Sequence, residues 1–387
     1  MFRNVRIPSP IVVNARHYQA ASVARLRENH ELMRVLVTGI CGFVGSTLAL
    51  EFLRRTPGLE IIGVDNLSRP GSEVNRQAWK KQGVRFVHGD IRLASDLEGL
   101  PTVDWVVDAA ANPSVLAGVG DQTSSRQLLE HNLIGTINLL EFCKRAAAGL
   151  LMLSTSRVYS QRRLADLKMD VRNDAFVPIM QDGEPPGLTP KGITEAFSTE
   201  APLSLYGASK LASEVLALEY AAAFDLPVYV NRCGVLAGAG QFGKPDQGIF
   251  SFWLHAYRNR WPLTFIGFDG TGHQVRDCLH ARDLAPLLLK QMAAGGKHGG
   301  IVNVAGGGDH AMSLRQLTGW CARRFGSHDV GCGLMDRLYD VPWLVLNTDR
   351  AAQVWNWRPS TALDDILEEI AGEAEKHPDW LDRSADS

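Results

Sequence analysis

The chain has 387 residues, 45% of them hydrophobic, and a formal net charge of −2. That is enough apolar material for one large core with a smaller lobe beside it, and the near-neutral balance provides no basic field to draw nucleic acid or an anionic membrane surface. No run of about 18 apolar residues occurs, which argues against a spanning helix; the cysteines (Cys41, Cys143, Cys233, Cys278, Cys321, Cys332) are scattered without a Cys-x-x-Cys pair or clustered histidines, so no metal site is expected and the thiols read as reduced, in a cytoplasmic protein.

Residues 1–32 differ from the rest of the chain. They carry several arginines and little periodicity, then give way at Met33 to an apolar strand. They read as an N-terminal extension outside the folded domains.

From Met33 onward, short apolar runs alternate with helical stretches, the pattern of an α/β fold whose doubly wound parallel sheet is covered by helices on both faces. Strands are expected at Arg34–Thr38, Ile61–Val64, Arg85–Val87, Trp105–Asp108, Leu151–Ser154 and Val228–Arg232. Helices are expected at Val44–Arg55, Gln127–Ala147 and Tyr206–Phe224, where apolar residues recur at helical spacing. Ser160–Ala201 is a long, proline-rich connection, which reads as a lid or a small hairpin insertion, expected to cover the site. The predicted layout is a dinucleotide-binding Rossmann-type domain over residues 33–233 and 279–305, and a substrate-binding lobe over 234–278 and 306–387, with a helix at Ile249–Asn259.

Gly39-Ile40-Cys41-Gly42-Phe43-Val44-Gly45 follows the first strand and opens the first helix, the context that makes a glycine triplet informative. Gly39 permits the turn, Gly42 lets backbone approach a pyrophosphate, and Gly45 lets the helix pack on the strand with its positive end toward the phosphates. Phe43 and Val44 complete the loop. Asp65 ends the next strand 20 residues after Gly45; its carboxylate would accept from an adenosine ribose and repel a 2′-phosphate, favouring NAD over NADP, with Asn66 beside it. Asp90 and Ile91 would flank the adenine. Ala109, Ala110 and Ala111 offer small side chains past which a dinucleotide can lie.

Tyr206 and Lys210 are four residues apart on a predicted helix and share a face. A nearby ammonium stabilises phenolate, lowering a phenol pKa that starts near about 10 so that Tyr206 can exchange protons near neutral pH. Thr155, at a strand end, offers a hydroxyl that could hydrogen-bond a substrate oxygen held by Tyr206.

These motifs, together with Val64-Asp65-Asn66-Leu67, Gly89-Asp90-Ile91, Asn132-x-x-Gly135-Thr136 and Ser154-Thr155-Ser156-Arg157-Val158-Tyr159, resemble the extended short-chain dehydrogenase/reductase superfamily, in its nucleotide-sugar epimerase and dehydratase branch. The resemblance runs from Met33 to about Pro359. It implies tightly held NAD, a Thr155, Tyr206 and Lys210 triad, Asn132 as a cofactor-side residue, and pairing of Gln127–Ala147 and Tyr206–Phe224 across a homodimer. The 4,6-dehydratases of that branch have Asp-Glu directly after the threonine; here Ser156 and Arg157 stand there, which argues against dehydration. Asp246-Gln247-Gly248 and Gly272-His273-Gln274-Val275-Arg276-Asp277 resemble segments of the CDP-tyvelose (CDP-paratose) 2-epimerases. Arg276 is the expected diphosphate clamp, with an Arg276–Asp277 ion pair as the structural alternative. Asn112, Ser114, Ser156, Arg157 and Gln247 are the remaining candidate substrate contacts, and Lys244 a further one. Where many sugar epimerases have an asparagine after the sixth strand, Asn231-Arg232-Cys233-Gly234 leaves the usual contact in doubt. Epimerisation at carbon 2 of a CDP-hexose is the leading expectation, a UDP-sugar 4-epimerase or a nucleotide-sugar oxidoreductase the enzymatic alternatives, and a nucleotide-sensing binding protein the non-enzymatic one.

Overall fold

The structure, a computed structural model, describes residues 33–119, 124–181, 183–296 and 300–384; the N-terminal extension lies outside the described residues. Seven parallel strands make the main sheet: β1 (Arg34–Thr38), β2 (Glu60–Asp65), β3 (Arg85–His88), β4 (Trp105–Asp108), β5 (Gly149–Thr155), β6 (Val228–Cys233) and β7 (Gly300–Val304). Their order is β7-β6-β5-β4-β1-β2-β3. Every residue of β4, β5 and β6 is buried, which is why these strands read as unbroken apolar runs rather than alternating ones.

The order reverses between β1 and β4, which pair in register from Val35↔Trp105 to Thr38↔Asp108. The carboxyl ends of these two strands therefore open a crevice, the place where a doubly wound sheet binds its ligands. Helix α1 (Phe43–Arg55) starts over that crevice with no acidic residue in its first turn, while Arg54 and Arg55 close its last turn, so its dipole is complemented at the far end and left free at the near one. The predicted Gln127–Ala147 helix is longer and interrupted: Ser125–Leu129 passes through a π-helical turn at Glu130–Ile134 into α2 (Gly135–Ala146). Helix α3 (Leu205–Phe224) is capped by Ser204, whose Oγ accepts from the Gly207 N–H at 3.0 Å.

The smaller lobe rises above the crevice. Its core is Phe250, Trp253, Leu254 and Tyr257 of α4 (Ile249–Arg258) against Leu317, Trp320, Ile366 and Ile370 from later helices. A small sheet centred on Val275–His280 joins Val235–Ala237, Ala311–Ser313 and Trp343–Leu344, three widely separated pieces of chain.

Residues 160–201 take the hairpin form: Met169–Arg172 pairs with Ala175–Pro178, and Leu188–Thr189 with Gly192–Ile193. The cover expected over the site is not made by them. Leu164, Leu167, Leu188, Ile193 and Phe197 are buried against Val341, Trp343 and Leu344, an apolar contact that seats the insertion beside the smaller lobe, and none of its described residues lines the cleft below.

Candidate active site

At the end of β1, Thr38 ties the two central strands together. Its hydroxyl donates to Asp108 Oδ1 at 3.2 Å and accepts from the Ala109 and Ala110 N–H groups, each at 3.1 Å. The turn after it closes only with glycine. Gly39 sits at φ +63°, and a Cβ there would stand 3.0 Å from Ala110 Cα; a Cβ on Gly45 would stand 2.2 Å from the Gly39 carbonyl oxygen. Gly39, Gly42, Phe43, Val44, Gly45, Ala109, Ala110 and Ala111 all face a cleft of about 460 Å³ between the lobes. This cradle, with a helix N-terminus free of carboxylates, fits the pyrophosphate of a dinucleotide.

Asp65 and Asn66 also line the cleft. The Asp65 carboxylate accepts from the Cys41 and Leu67 N–H groups, both at 2.8 Å, yet burial holds its pKa above the ordinary carboxylate value. Cys41 is buried, and burial first, then Asp65, pushes its thiol up to about 12, leaving it a small filler of the turn.

Two expected cofactor contacts are placed elsewhere. Of the Asp90-Ile91 turn, Ile91 and the preceding Gly89 reach the cleft, whereas Asp90 accepts from Arg92 at 2.6 Å and from Asn66 Nδ2 at 3.0 Å. Burial works against the Asp90 charge, but these partners outweigh it and hold the carboxyl well below its usual range. Asn132 is buried in the π-helical turn, where its Oδ1 accepts from the Asn112 N–H (2.8 Å) and its Nδ2 donates to the Asn112 carbonyl (3.0 Å) and Ser209 Oγ (3.2 Å). It braces the loop after β4 against α3. His131, its neighbour, faces the cleft instead.

Thr155 ends the buried strand β5, and the chain leaving it runs under the first turn of α3. A Cβ on Gly207 would lie 2.2 Å from the Arg157 carbonyl oxygen, so that turn rests directly on the strand's exit. Tyr206 is thereby set against Thr155, and their hydroxyls hydrogen-bond. Burial raises the Tyr206 pKa above its ordinary value; the Thr155 hydrogen bond and the positive charge of Arg157 act the other way. Lys210 follows one turn along, 2% exposed. Its charge acts on the buried carboxylate of Asp108 and on Cys233.

On the substrate side, Ser156, Arg157, Gln247 and Arg276 line the same cleft as Thr155 and Tyr206. Asn112 and Ser114 do not. Ser114 Oγ donates to Asp246 Oδ2 at 2.5 Å, and Asn112 Oδ1 accepts from the Ser114 N–H at 3.2 Å, so the pair joins the two lobes. Arg69 makes a second strut, donating to Gln247 Oε1 at 2.5 Å and to the Phe242 carbonyl. Lys244 meets Gln247 through backbone bonds at 2.8 and 3.0 Å. Arg276 pairs with Asp340, at 2.6 Å, and not with Asp277, whose carboxylate accepts from the Leu346 N–H at 2.9 Å on the other side of the strand. Sequence reasoning missed Arg69, Gln241, Gln274, Arg337 and Asp340, which all line the cleft. Gln274 and Gln241 each spend the amide nitrogen on a backbone carbonyl, of Ile266 and Leu236, which leaves both Oε1 atoms buried and unpartnered, as are Ser72 Oγ and Asp340 Oδ2. Such atoms are ready to meet a polar ligand.

Among the described residues no cluster of three His, Cys, Asp or Glu could hold a metal, and no helix is long and apolar enough to cross a membrane.

Comparison with known proteins agrees with this geometry. The chain is 32% identical over 296 residues to a CDP-paratose 2-epimerase from Salmonella typhi, covering 74% of this chain and 82% of that protein. It is 27% identical over 342 residues to a UDP-glucuronate 4-epimerase from Thermodesulfobacterium geofontis, covering 86% and 93%. Its fold matches the crystal structure of UDP-glucuronic acid 4-epimerase from Bacillus cereus in complex with UDP-glucuronic acid and NAD, with a TM-score of 0.70 and 23% identity over 89% of this chain and 99% of that one. The model of the NAD dependent epimerase/dehydratase family matches residues 35–305. The chain is an NAD-dependent enzyme belonging to that family.

Proposed function

We propose that the protein epimerises a nucleotide-linked sugar through a transient ketosugar, at carbon 2 of a CDP-linked hexose. The observation that carries the epimerase reading is the pair directly after Thr155: Ser156 and Arg157 line the cleft beside Tyr206, so no carboxylic acid stands there to protonate a leaving hydroxyl. Guanidinium does not serve as a general acid. Carbon 2 and the cytidine base are favoured by the similarity to the Salmonella typhi CDP-paratose 2-epimerase. The 4-epimerase from Thermodesulfobacterium geofontis supports the second reading, carbon 4 of a UDP-sugar.

The cradle of Gly39, Gly42 and Gly45 would hold the NAD pyrophosphate, with Asp65 and Asn66 at its ribose end. When bound, NAD supplies the hydride acceptor that makes a carbinol carbon oxidisable. The chain supplies the rest. Arg276, Arg337 and Asp340 line the same cleft, where a planar guanidinium can pair two diphosphate oxygens. Tyr206 takes the sugar hydroxyl proton and Thr155 orients that oxygen. The proton returns to the oxygen after the ketosugar has presented its other face, so neither proton nor cofactor is consumed. Product NMR with CDP-paratose and with UDP-glucuronate tests the reading: inversion at carbon 2 of the first supports it, inversion at carbon 4 of the second with none at carbon 2 replaces it, and stoichiometric release of NADH makes the enzyme an oxidoreductase.

We also propose a cytoplasmic homodimer. All six thiols are unpaired, as in a reducing compartment. Leu129 and Ile134 beside α2, and Val215 and Phe224 on α3, are large apolar side chains left exposed on the helices expected to pair. A monomer in sedimentation at micromolar concentration rejects this.

A further inference from the structure

Arg157 is a cation without a counter-ion. Among the described residues it forms no ion pair, and its one side-chain hydrogen bond runs from Nη1 to the Tyr339 carbonyl at 3.3 Å. Four of its five N–H donors are left for a ligand. Its neighbours are cationic as well: Arg276 and Arg337 share the same wall, and the nearby carboxylate, Asp340, is bound to Arg276. Burial and then Arg276 push the Arg157 pKa down to about 10, a value at which the guanidinium is still charged at neutral pH. A charge held there at a cost needs an oxygen from outside the chain.

The backbone of Arg157 is fixed at both ends by the catalytic groups. Its N–H donates to Thr155 Oγ1 at 3.1 Å, and its carbonyl lies under Gly207, the residue after Tyr206. Its tip is held by a carbonyl of a residue at φ +60°, Tyr339, which lies between Arg337 and Asp340 on the substrate wall. The side chain thus spans from the catalytic hydroxyls to the wall that would face a diphosphate.

We infer that the Arg157 guanidinium donates hydrogen bonds to the sugar oxygen that Tyr206 deprotonates, stabilising it as it becomes the ketone oxygen and again as it returns to a hydroxyl. This rests on the epimerase reading. The O–H proton passes to the Tyr206 oxygen, the C–H electron pair leaves with its hydrogen for the oxidised cofactor, and the C=O bond forms; Arg157 keeps all its protons and the return half reverses each step. A donor aimed at developing negative charge acts only in the transition state, as in other oxyanion sites. The same positive charge favours the Tyr206 phenolate.

The test uses Arg157→Gln and Arg157→Lys in the full chain with bound NAD and CDP-paratose as probe, and Tyr206→Phe as the blank. For Arg157→Gln, kcat is expected to fall about a hundredfold with KM nearly unchanged. The acid limb of kcat/KM should move about one unit to higher pH, because the phenolate has lost a neighbouring cation. Arg157→Lys should restore the limb. A rise in KM with kcat and the limb unmoved would make Arg157 a diphosphate contact and overturn the inference. An ultraviolet difference titration of the Tyr206 phenolate, wild type against each variant, needs no turnover. If no sugar nucleotide is epimerised yet Arg157→Gln raises that midpoint, the epimerase reading fails and the electrostatic role stands; an unmoved midpoint refutes the role itself.

Discussion

Glu214 of α3 and Arg232 of β6 meet at 2.7 Å with side chains 1% and 5% exposed. Two bonds reach Glu214 Oε2 and one reaches Oε1, which also accepts from Ser154 Oγ at 2.5 Å; on its other side the guanidinium lies 5.0 Å from the centre of the Tyr159 ring. Arg232 is therefore spent on joining sheet to helix, so the position where a sugar contact was in doubt carries an internal pair. Glu214→Ala, which strands the guanidinium in the core, should cost about 3–5 kcal/mol. Chemical denaturation checks this, and Arg232→Met added to Glu214→Ala should recover much of the loss.

Tyr206→Phe removes the one hydroxyl that can carry the proton and keeps the ring. Turnover should drop by at least about a hundredfold. Isothermal titration with the nucleoside diphosphate should show affinity within a few-fold of wild type, because the diphosphate wall is untouched; equal turnover would undo the catalytic assignment.

Gly45→Ala places a methyl 2.2 Å from the Gly39 carbonyl, a contact with backbone that no side-chain rotation relieves. The first turn of α1 must shift outward. The variant should purify without NAD, and its Tm should no longer rise when NAD is added.

Arg276→Ala should raise KM for a nucleotide sugar roughly tenfold to a hundredfold, the range for losing charged hydrogen bonds, while kcat changes little. Asp340→Asn offers a contrast. It removes the carboxylate that competes for Arg276, and steady-state kinetics should show KM falling or holding steady.

Asp277 is buried, and burial pushes its pKa up to about 7 against backbone N–H donors from Leu346, Gly307 and Val235. Its folded pKa is raised, so its contribution to stability is complete below the unfolded value near about 4 and fades as pH rises through about 7. Wild type should thus lose stability relative to Asp277→Asn between those limits, measured as the difference in denaturation midpoint across pH. A difference independent of pH would mean that Asp277 is ionised throughout.

Much of the larger domain was legible because its central strands are buried on both faces and so spell themselves as apolar runs. β7 was missed: Gly300-Ile301-Val302-Asn303-Val304 begins with glycine and carries Asn303, a polar residue that is buried because it accepts from Tyr159. The strands of the smaller lobe are mostly two or three residues long, too short to show a period. The glycine turn, Asp65, Thr155 and Tyr206 line one cleft, and each stands in a local motif that its neighbours along the chain spell out. Asp90, Asn112, Ser114 and Asn132 misled for the opposite reason: a polar side chain at a loop looks the same whether it faces a ligand or another polar side chain. Asp340 lay beyond reading, because it meets Arg276 only through the parallel pairing of Val275 with Trp343 and of Arg276 with Leu344.

That pairing makes one wall of the cleft depend on two stretches far apart in the chain. Trp343–Leu344 pairs with Val275–His280, and through it Asp340 is set beside Arg276. A change in the Trp343–Leu344 strand would therefore displace Asp340 from Arg276 while leaving the glycine turn and the tyrosine helix in place.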